Sequence, residues 1–174
     1  DKVPADSLKQ IGVNSTNLNG IFEKTTVNVR FQKVKSPDKI FRERYWEMPD
    51  QFVLSKDEYA KYFPHDAYKD EDQVTKWPLG EKAFEKTDTT SSNGQWTISK
   101  KLDAGWYKII ATTKDKYGEE VKAEKYIQLT DDQRPTTENA VLVDTKQHSV
   151  KPGDKINYTI KTGFDNIWLV HTLN

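Results

Sequence analysis

The side chains best suited to chemistry are concentrated between residues 65 and 72. Four carboxylates lie in this short stretch: Asp66, Asp70, Glu71 and Asp72. Carboxylate oxygens in an irregular loop are ligands that Ca²⁺ accepts. The spacing is not that of an EF-hand, and the glycine that such a loop requires is missing. A solvated acidic loop is therefore the alternative interpretation, and calcium binding by Asp66, Asp70 and Asp72 stays open.

Histidine and cysteine offer little for catalysis. The chain has no Cys, so disulfides, thiolate metal sites and a thioester are excluded within it. His65, His148 and His171 are scattered and lack the paired spacing of a metal site. Asp66 could orient the neighbouring His65, but no nucleophile accompanies the two. Phosphate-binding and nucleophile-elbow motifs are also absent. We predict no catalytic residue, no metal ligand and no cofactor, and therefore no enzyme.

Tryptophan could provide a stacking surface for a sugar. Three of the five, Trp96, Trp106 and Trp168, lie inside strand patterns, where core packing is the default. Trp46 and Trp77 lie between strands and are the better candidates for exposed binding residues.

Charge and hydropathy each exclude one class of partner. The 174 residues include 27 basic and 27 acidic side chains, so the formal net charge is zero. A protein that binds nucleic acid through its charge would carry a surplus of Lys and Arg, so we predict no nucleic-acid partner. No apolar run approaches the ~20 residues that span a bilayer, so we predict no membrane insertion by this segment.

The elements that position these residues are predicted to be short strands. Apolar and polar residues alternate at 27–32 and around Trp96, as in half-buried strands. A longer hairpin is predicted over 106–129 with its turn at 116–118, and Tyr107 is assigned to its core-facing row. Many short strands with little helix indicate an all-β fold, an immunoglobulin-like antiparallel β-sandwich.

One long segment, at about 41–84, interrupts the strand pattern and is predicted to be an insertion between strands. Within it, Ser55 and Glu58 have the spacing of a helix capping box, and Pro64 ends the run. The predicted helix of about two turns is too short to be stable alone. It must dock its aromatic side chains, which are Tyr59, Tyr62 and Phe63.

A polar, proline-containing stretch at 130–137 has the composition of a linker. We predict one β-sandwich domain over 1–131, which carries the insertion, and a partial second domain over 132–174 that is incomplete at its C-terminus. Three strands are expected in the second part, at 140–144, 155–162 and 167–173. Because the sequence starts at Asp1 without a leader, we expect a fragment or a processed chain.

Several motifs carry a family resemblance. A strand, Asn19-Gly20 and a second strand are followed by Gly94-Gln95-Trp96, Leu102-Asp103-Ala104-Gly105-Trp106-Tyr107 and Lys114-Asp115-Lys116-Tyr117-Gly118-Glu119-Glu120-Val121. Together they resemble macroglobulin-type β-sandwich domains in the N-terminal arm of large bacterial alpha-2-macroglobulin-family proteins. The insertion, with Arg44-Tyr45-Trp46, looks like a segment found in bacterial members. The turn at 150–154 is similar to the first-strand turn of the next such domain.

The resemblance implies a function. Members of the family are protease traps or relatives of traps, in which cleavage of a bait segment rearranges a multi-domain shell. Thioester-bearing members then capture the protease covalently, which requires a Cys that this sequence lacks. The resemblance implies a non-catalytic structural module that scaffolds bait and capture regions elsewhere in the parent protein. Its implied partners are the other domains of the parent and, through the parent, proteases, in the periplasm or cell envelope of a bacterium.

Two other functions stay open from the sequence alone. One is a carbohydrate-binding or adhesive β-sandwich that uses Trp46 and Trp77. The weaker one is a hydrolase that uses the acidic residues of the insertion.

Overall fold

The structure is a computed structural model that describes residues 1–42, 44–131, 141–145, 149–164, 168 and 170. It is mostly β, with 39% of the described residues in strands and 9% in helices, which confirms the all-β prediction at that level. The strands are β1 (Lys2–Pro4), β2 (Gln10–Gly12), β3 (Thr26–Val34), β4 (Leu79–Thr89), β5 (Gln95–Thr97), β6 (Gly105–Lys114), β7 (Glu120–Thr130), β8 (Val141–Thr145) and β9 (Tyr158–Thr162). The α-helix α1 spans Lys56–Tyr62, and short 3₁₀ turns occupy Ala5–Ser7 and Val74–Lys76.

The chain divides into two compact units. The first comprises Asp1–Ser36 and Val74–Asp132, and the second comprises Pro37–Gln73 and Gln133–Asn174. A compact unit need not fold independently, so the predicted domains, 1–131 and 132–174, stay a prediction.

The first unit contains a five-stranded sheet in the order β1-β7-β6-β3-β4 and a small β2-β5 sheet. The predicted hairpin is confirmed, because β6 and β7 pair antiparallel in continuous register and Gly118 turns the chain with a φ of 87°. A wholly antiparallel fold was expected, but β1 runs parallel to β7. The strand expected before Asn19-Gly20 is β2, and it pairs with β5.

The core of the first unit lies between these two sheets, an arrangement consistent with a β-sandwich. The five-stranded sheet contributes Phe31, Tyr107 and Leu129, and the other side contributes Trp96 and Leu102; all five are buried. Alternation explains this, because residues of one parity along a strand share a face. The predicted core positions of Trp96 and Tyr107 are confirmed.

The insertion is shorter at its C-terminal end than the predicted 41–84. Because β4 begins at Leu79 and pairs with β3, residues 79–84 belong to the sheet. The strand β4 is an edge strand that carries Lys82, Glu85 and Lys86, and charged residues at an edge remove the alternation that reveals a strand.

In the second unit, β8 and β9 form a two-stranded antiparallel sheet. These strands correspond to two of the three predicted for the C-terminal part. The third prediction, 167–173, lies largely outside the described residues.

Candidate functional site

The candidate site is the part of the insertion that lies in the second unit, and α1 is its helix. The predicted capping box is present: the Glu58 N–H donates to Ser55 Oγ over 3.3 Å, and the Ser55 N–H donates to the Glu58 carboxylate over 2.9 Å. The Ser55 side chain and backbone hydrogen bonds lower the pKa of Glu58. The sequence therefore fixes where this helix begins.

An ion pair connects α1 to the following loop. Lys56 Nζ lies 2.7 Å from the Glu71 carboxylate, and the backbone N–H of Lys69 donates to the same carboxylate over 2.6 Å. Burial raises the pKa of Glu71, but the hydrogen bonds from Lys56 and Lys69 outweigh it, so the pKa is lowered overall. Glu71 is therefore a structural anion that ties the loop to the helix.

Among the described acids of the insertion, Asp66 is the most deeply buried, with 5% of its side chain exposed. The Arg42 guanidinium binds both carboxylate oxygens, through Nε to Oδ1 and through Nη2 to Oδ2 at 3.0 Å. The hydrogen bond to Asp66 raises the pKa of Arg42. The Arg44 guanidinium donates to the Ala67 carbonyl next to this pair. A bidentate arginine compensates the cost of burying a carboxylate.

Aromatic rings hold the helix in place. The Tyr68 ring lies 4.3 Å from the Phe52 ring and 5.4 Å from the Tyr59 ring, and its hydroxyl donates to the Leu54 carbonyl over 2.9 Å. Tyr59 is thus docked, as predicted. Tyr62 was expected to dock too, but it is 64% exposed, because a two-turn helix presents only one face to its support.

Of the two tryptophans proposed as exposed binding residues, only Trp46 is exposed. Trp46 is 50% exposed, and the Arg42 guanidinium lies 5.8 Å from its ring centre. Its neighbour Tyr45 is 88% exposed. Trp77 is half-buried and packs edge-to-face on Trp106 at 6.2 Å, so its assignment as an exposed platform is wrong.

Trp168 was expected to pack in a core, but it is 99% exposed. The strand pattern around it indicated a buried row. The described strands of this unit, β8 and β9, form a single two-stranded layer, which cannot enclose a side chain on both sides.

The carboxylates proposed for calcium do not converge. Asp66 is bound by Arg42, Glu71 by Lys56, and Asp70 accepts a hydrogen bond from Gln73 over 3.0 Å. Asp72 is exposed. Within the described ranges, no group of three or more His, Asp or Glu residues is placed to hold a metal ion.

The proposed His65–Asp66 pair is not assembled as a catalytic dyad. His65 is exposed, its Nδ1 lies 3.2 Å from the Ile40 carbonyl, and its ring packs on Phe164 at 4.7 Å. The Asp66 carboxylate is held by Arg42. His148 and His171 lie outside the described residues.

Sequence reasoning missed Arg42 and Arg44, the two residues that organise the site. The only available signal was an Arg-x-Arg pair next to Trp46. Nothing local indicates that Arg42 would meet an acid 24 residues later.

No family model, curated protein or solved structure matches this chain. The family and the function therefore stay predictions. In the described part of the chain, no helix is long and apolar enough to cross a membrane.

Proposed function

We propose that this chain is a non-catalytic structural module of a large bacterial alpha-2-macroglobulin-like protease inhibitor. In this role it holds the bait and capture regions, which lie elsewhere in the parent, and contacts other domains of that parent. Proteases bind the parent protein and not this module by itself, and they do so in the periplasm or cell envelope. The sandwich is then of the immunoglobulin-like, macroglobulin type.

One observation carries the proposal: the residues behind the resemblance are used for packing. Trp96, Leu102 and Tyr107 belong to one buried cluster. Gly105 and Gly118 supply positive φ angles of 138° and 87° where the hairpin β6–β7 begins and turns. A motif whose residues build a core and a turn supports a scaffold role, because such side chains are not free to bind substrate.

The insertion adds support of the same kind. Among its described acids, the buried Asp66 and the partly buried Glu71 are each neutralised by a basic side chain. A general acid or base would need a carboxylate that can reach substrate.

The proposal can be tested on the gene and on the protein. We expect the open reading frame to encode a chain of macroglobulin domains with a bait segment, with or without a distal Cys-x-Glu-Gln thioester. The parent should block proteolysis of a macromolecular substrate, whereas the isolated 174-residue chain should not, even in molar excess. Inhibition by the isolated chain, or a flanking catalytic domain without a bait segment, would overturn the proposal.

A second candidate function, carbohydrate binding, is favoured by one specific observation. Trp46 keeps half of its surface in solvent while Arg42 lies over its ring. An aromatic face next to hydrogen-bond donors is a common way to hold a sugar ring. A glycan array probed with the wild type and with Trp46→Ala tests this function, and Trp77→Ala is the control because Trp77 packs on Trp106. Equal glycan signals from the wild type and Trp46→Ala would exclude it.

A further inference from the structure

The five-stranded sheet has two edges that are built differently. At β4, the register with β3 shifts twice, and Lys100 Nζ donates to the Ala83 carbonyl over 2.9 Å. Irregular pairing, and a lysine that occupies a carbonyl of the edge strand, keep such an edge from pairing with another strand. On the other side of the sheet the last strand, β1, has three residues, and its neighbour β7 pairs with β6 over ten consecutive residues without a shift.

The outer side of β7 is only partly covered. The short strand β1 pairs with Gln128–Thr130, and no described strand lies beyond β7 along Glu120–Tyr126. Glu120–Lys125 are all exposed. A run of backbone groups is therefore open to solvent at a regular edge.

The direction of these backbone groups follows from one hydrogen bond. The Gln128 N–H donates outward to the Asp1 carbonyl over 2.9 Å. Hydrogen-bonding direction alternates along an antiparallel strand, so Lys122, Glu124 and Tyr126 also point their N–H and C=O groups outward. Even-numbered residues of β7 thus form the edge that another strand would meet.

A second copy of this edge matches it in one register. Antiparallel pairing about a two-fold axis at Ala123 puts Lys122 opposite Glu124 of the other copy, and Glu124 opposite its Lys122. All outward groups from 120 to 126 then form hydrogen-bonded pairs, about eight bonds in total. Opposite charges across strands stabilise a sheet.

The neighbouring registers are poorer. A two-fold axis at Lys122 would place Lys122 of one copy opposite Lys122 of the other, and an axis at Glu124 would do the same for Glu124. Like charges directly opposite each other destabilise a strand pair. An axis at Val121 would place Glu120 of one copy opposite Lys122 of the other, but only about half as many outward backbone groups would form hydrogen bonds between the copies.

We propose that β7 is a self-association edge, through which two copies of this chain form an antiparallel dimer centred on Ala123. Within the chain, Glu124 is held on this face by Lys122 and by Lys108, whose Nζ lies 2.7 Å from its carboxylate. The formal net charge of zero leaves no overall repulsion between the copies. The dimer goes beyond the proposed scaffold role and does not depend on it.

Cysteine cross-linking tests the register directly, because the chain has no native Cys. Ala123 would face its own copy in a non-hydrogen-bonded pair with Cα atoms about 4.5 Å apart, within the ~4.4–6.8 Å range of disulfides. Ala123→Cys should therefore give a disulfide-linked dimer under mild oxidation. Val121→Cys is the matched control, since its two copies would lie about 14 Å apart, four residues along the strand. The double variant Val121→Cys with Lys125→Cys should cross-link again.

Light scattering coupled to size exclusion tests association without a cross-link. The wild-type mass should rise with concentration from 20.2 kDa towards twice that value. Lys122→Pro removes one outward N–H that the dimer would use, so this variant should stay monomeric. It removes no hydrogen bond to β6, so its melting temperature should stay near that of the wild type. Lys122→Glu should also weaken the dimer, and adding Glu124→Lys should restore it.

Two results would overturn the proposal. One is a monomeric wild type up to about 1 mM together with equal cross-linking of Ala123→Cys and Val121→Cys. The other is a dimer that Lys122→Pro leaves intact and that Ala123→Cys does not trap, because that dimer would use another surface.

Discussion

Tyr107 offers the sharpest test of the core. Its side chain is 2% exposed and packs in the cluster between the two sheets, and its hydroxyl donates to the Asp103 carbonyl over 2.9 Å. Tyr107→Ala removes a buried ring and leaves a cavity, which costs about 3–5 kcal/mol. Tyr107→Phe keeps the ring and removes one hydrogen bond, so it should cost about 1 kcal/mol.

Urea and thermal unfolding measure both effects. For a protein of this size, 1 kcal/mol corresponds to roughly 2–4 °C, so the melting temperature should fall by about 6–20 °C for Tyr107→Ala and by about 2–4 °C for Tyr107→Phe. Tyr117→Ala is the matched control, because Tyr117 is 78% exposed and its removal should stay within about 0.5 kcal/mol. A loss below about 1 kcal/mol for Tyr107→Ala, equal to that of the control, would mean that the faces of β6 are assigned the wrong way round.

Three further predictions concern the turn, the insertion and pH. Gly94 and Gly118 both have a positive φ, 60° and 87°, so Gly94→Ala and Gly118→Ala should each cost about 1–2 kcal/mol in urea unfolding, and no loss of stability in either variant would contradict these turns. The exposed Asn14 side chain, which an added Cβ at Gly94 would meet, can move aside. Asp66→Asn removes the charge that binds its arginine, and amide exchange in 56–62 should accelerate about tenfold, whereas exposed Asp72→Asn should leave it unchanged. The folded state lowers the pKa of six carboxylates, which are Asp6, Glu58, Glu71, Glu85, Asp88 and Glu124. Their stabilisation is therefore complete above their unfolded pKa values, 3.8 for Asp and 4.5 for Glu, and is lost as the pH falls below those values. A melting temperature that stays constant from pH 7 to pH 3 would contradict these pairings.

The fold was readable from the sequence where the signals are local. Alternation predicted β3 and the hairpin β6–β7, and the Ser55–Glu58 spacing predicted α1, because each pattern lies within one element. The edge strands β1 and β4 were missed. A three-residue strand is too short to show a period, and β4 carries charge where a central strand would be apolar.

The candidate site was less readable, because its contacts join residues far apart in the chain. The sequence placed Asp66 in an acidic cluster after α1, yet its partner Arg42 precedes α1 in the chain. Trp46 and Trp77 were equivalent from the sequence, and only the packing of Trp77 on Trp106 separates them. Composition therefore located the insertion, while burial decided which of its residues are structural.

The residues best suited to chemistry are engaged in holding the insertion together. A buried carboxylate that is bound at both oxygens cannot bind a cation or move a proton without breaking its ion pair, and breaking that pair is unfavourable while the carboxylate stays buried. Side chains left in solvent, such as Tyr45 and Trp46, suit contact between surfaces better than catalysis. The open edge of β7 offers the same kind of function through the backbone. The cross-linking of Ala123→Cys and the glycan test of Trp46→Ala examine these two surfaces independently.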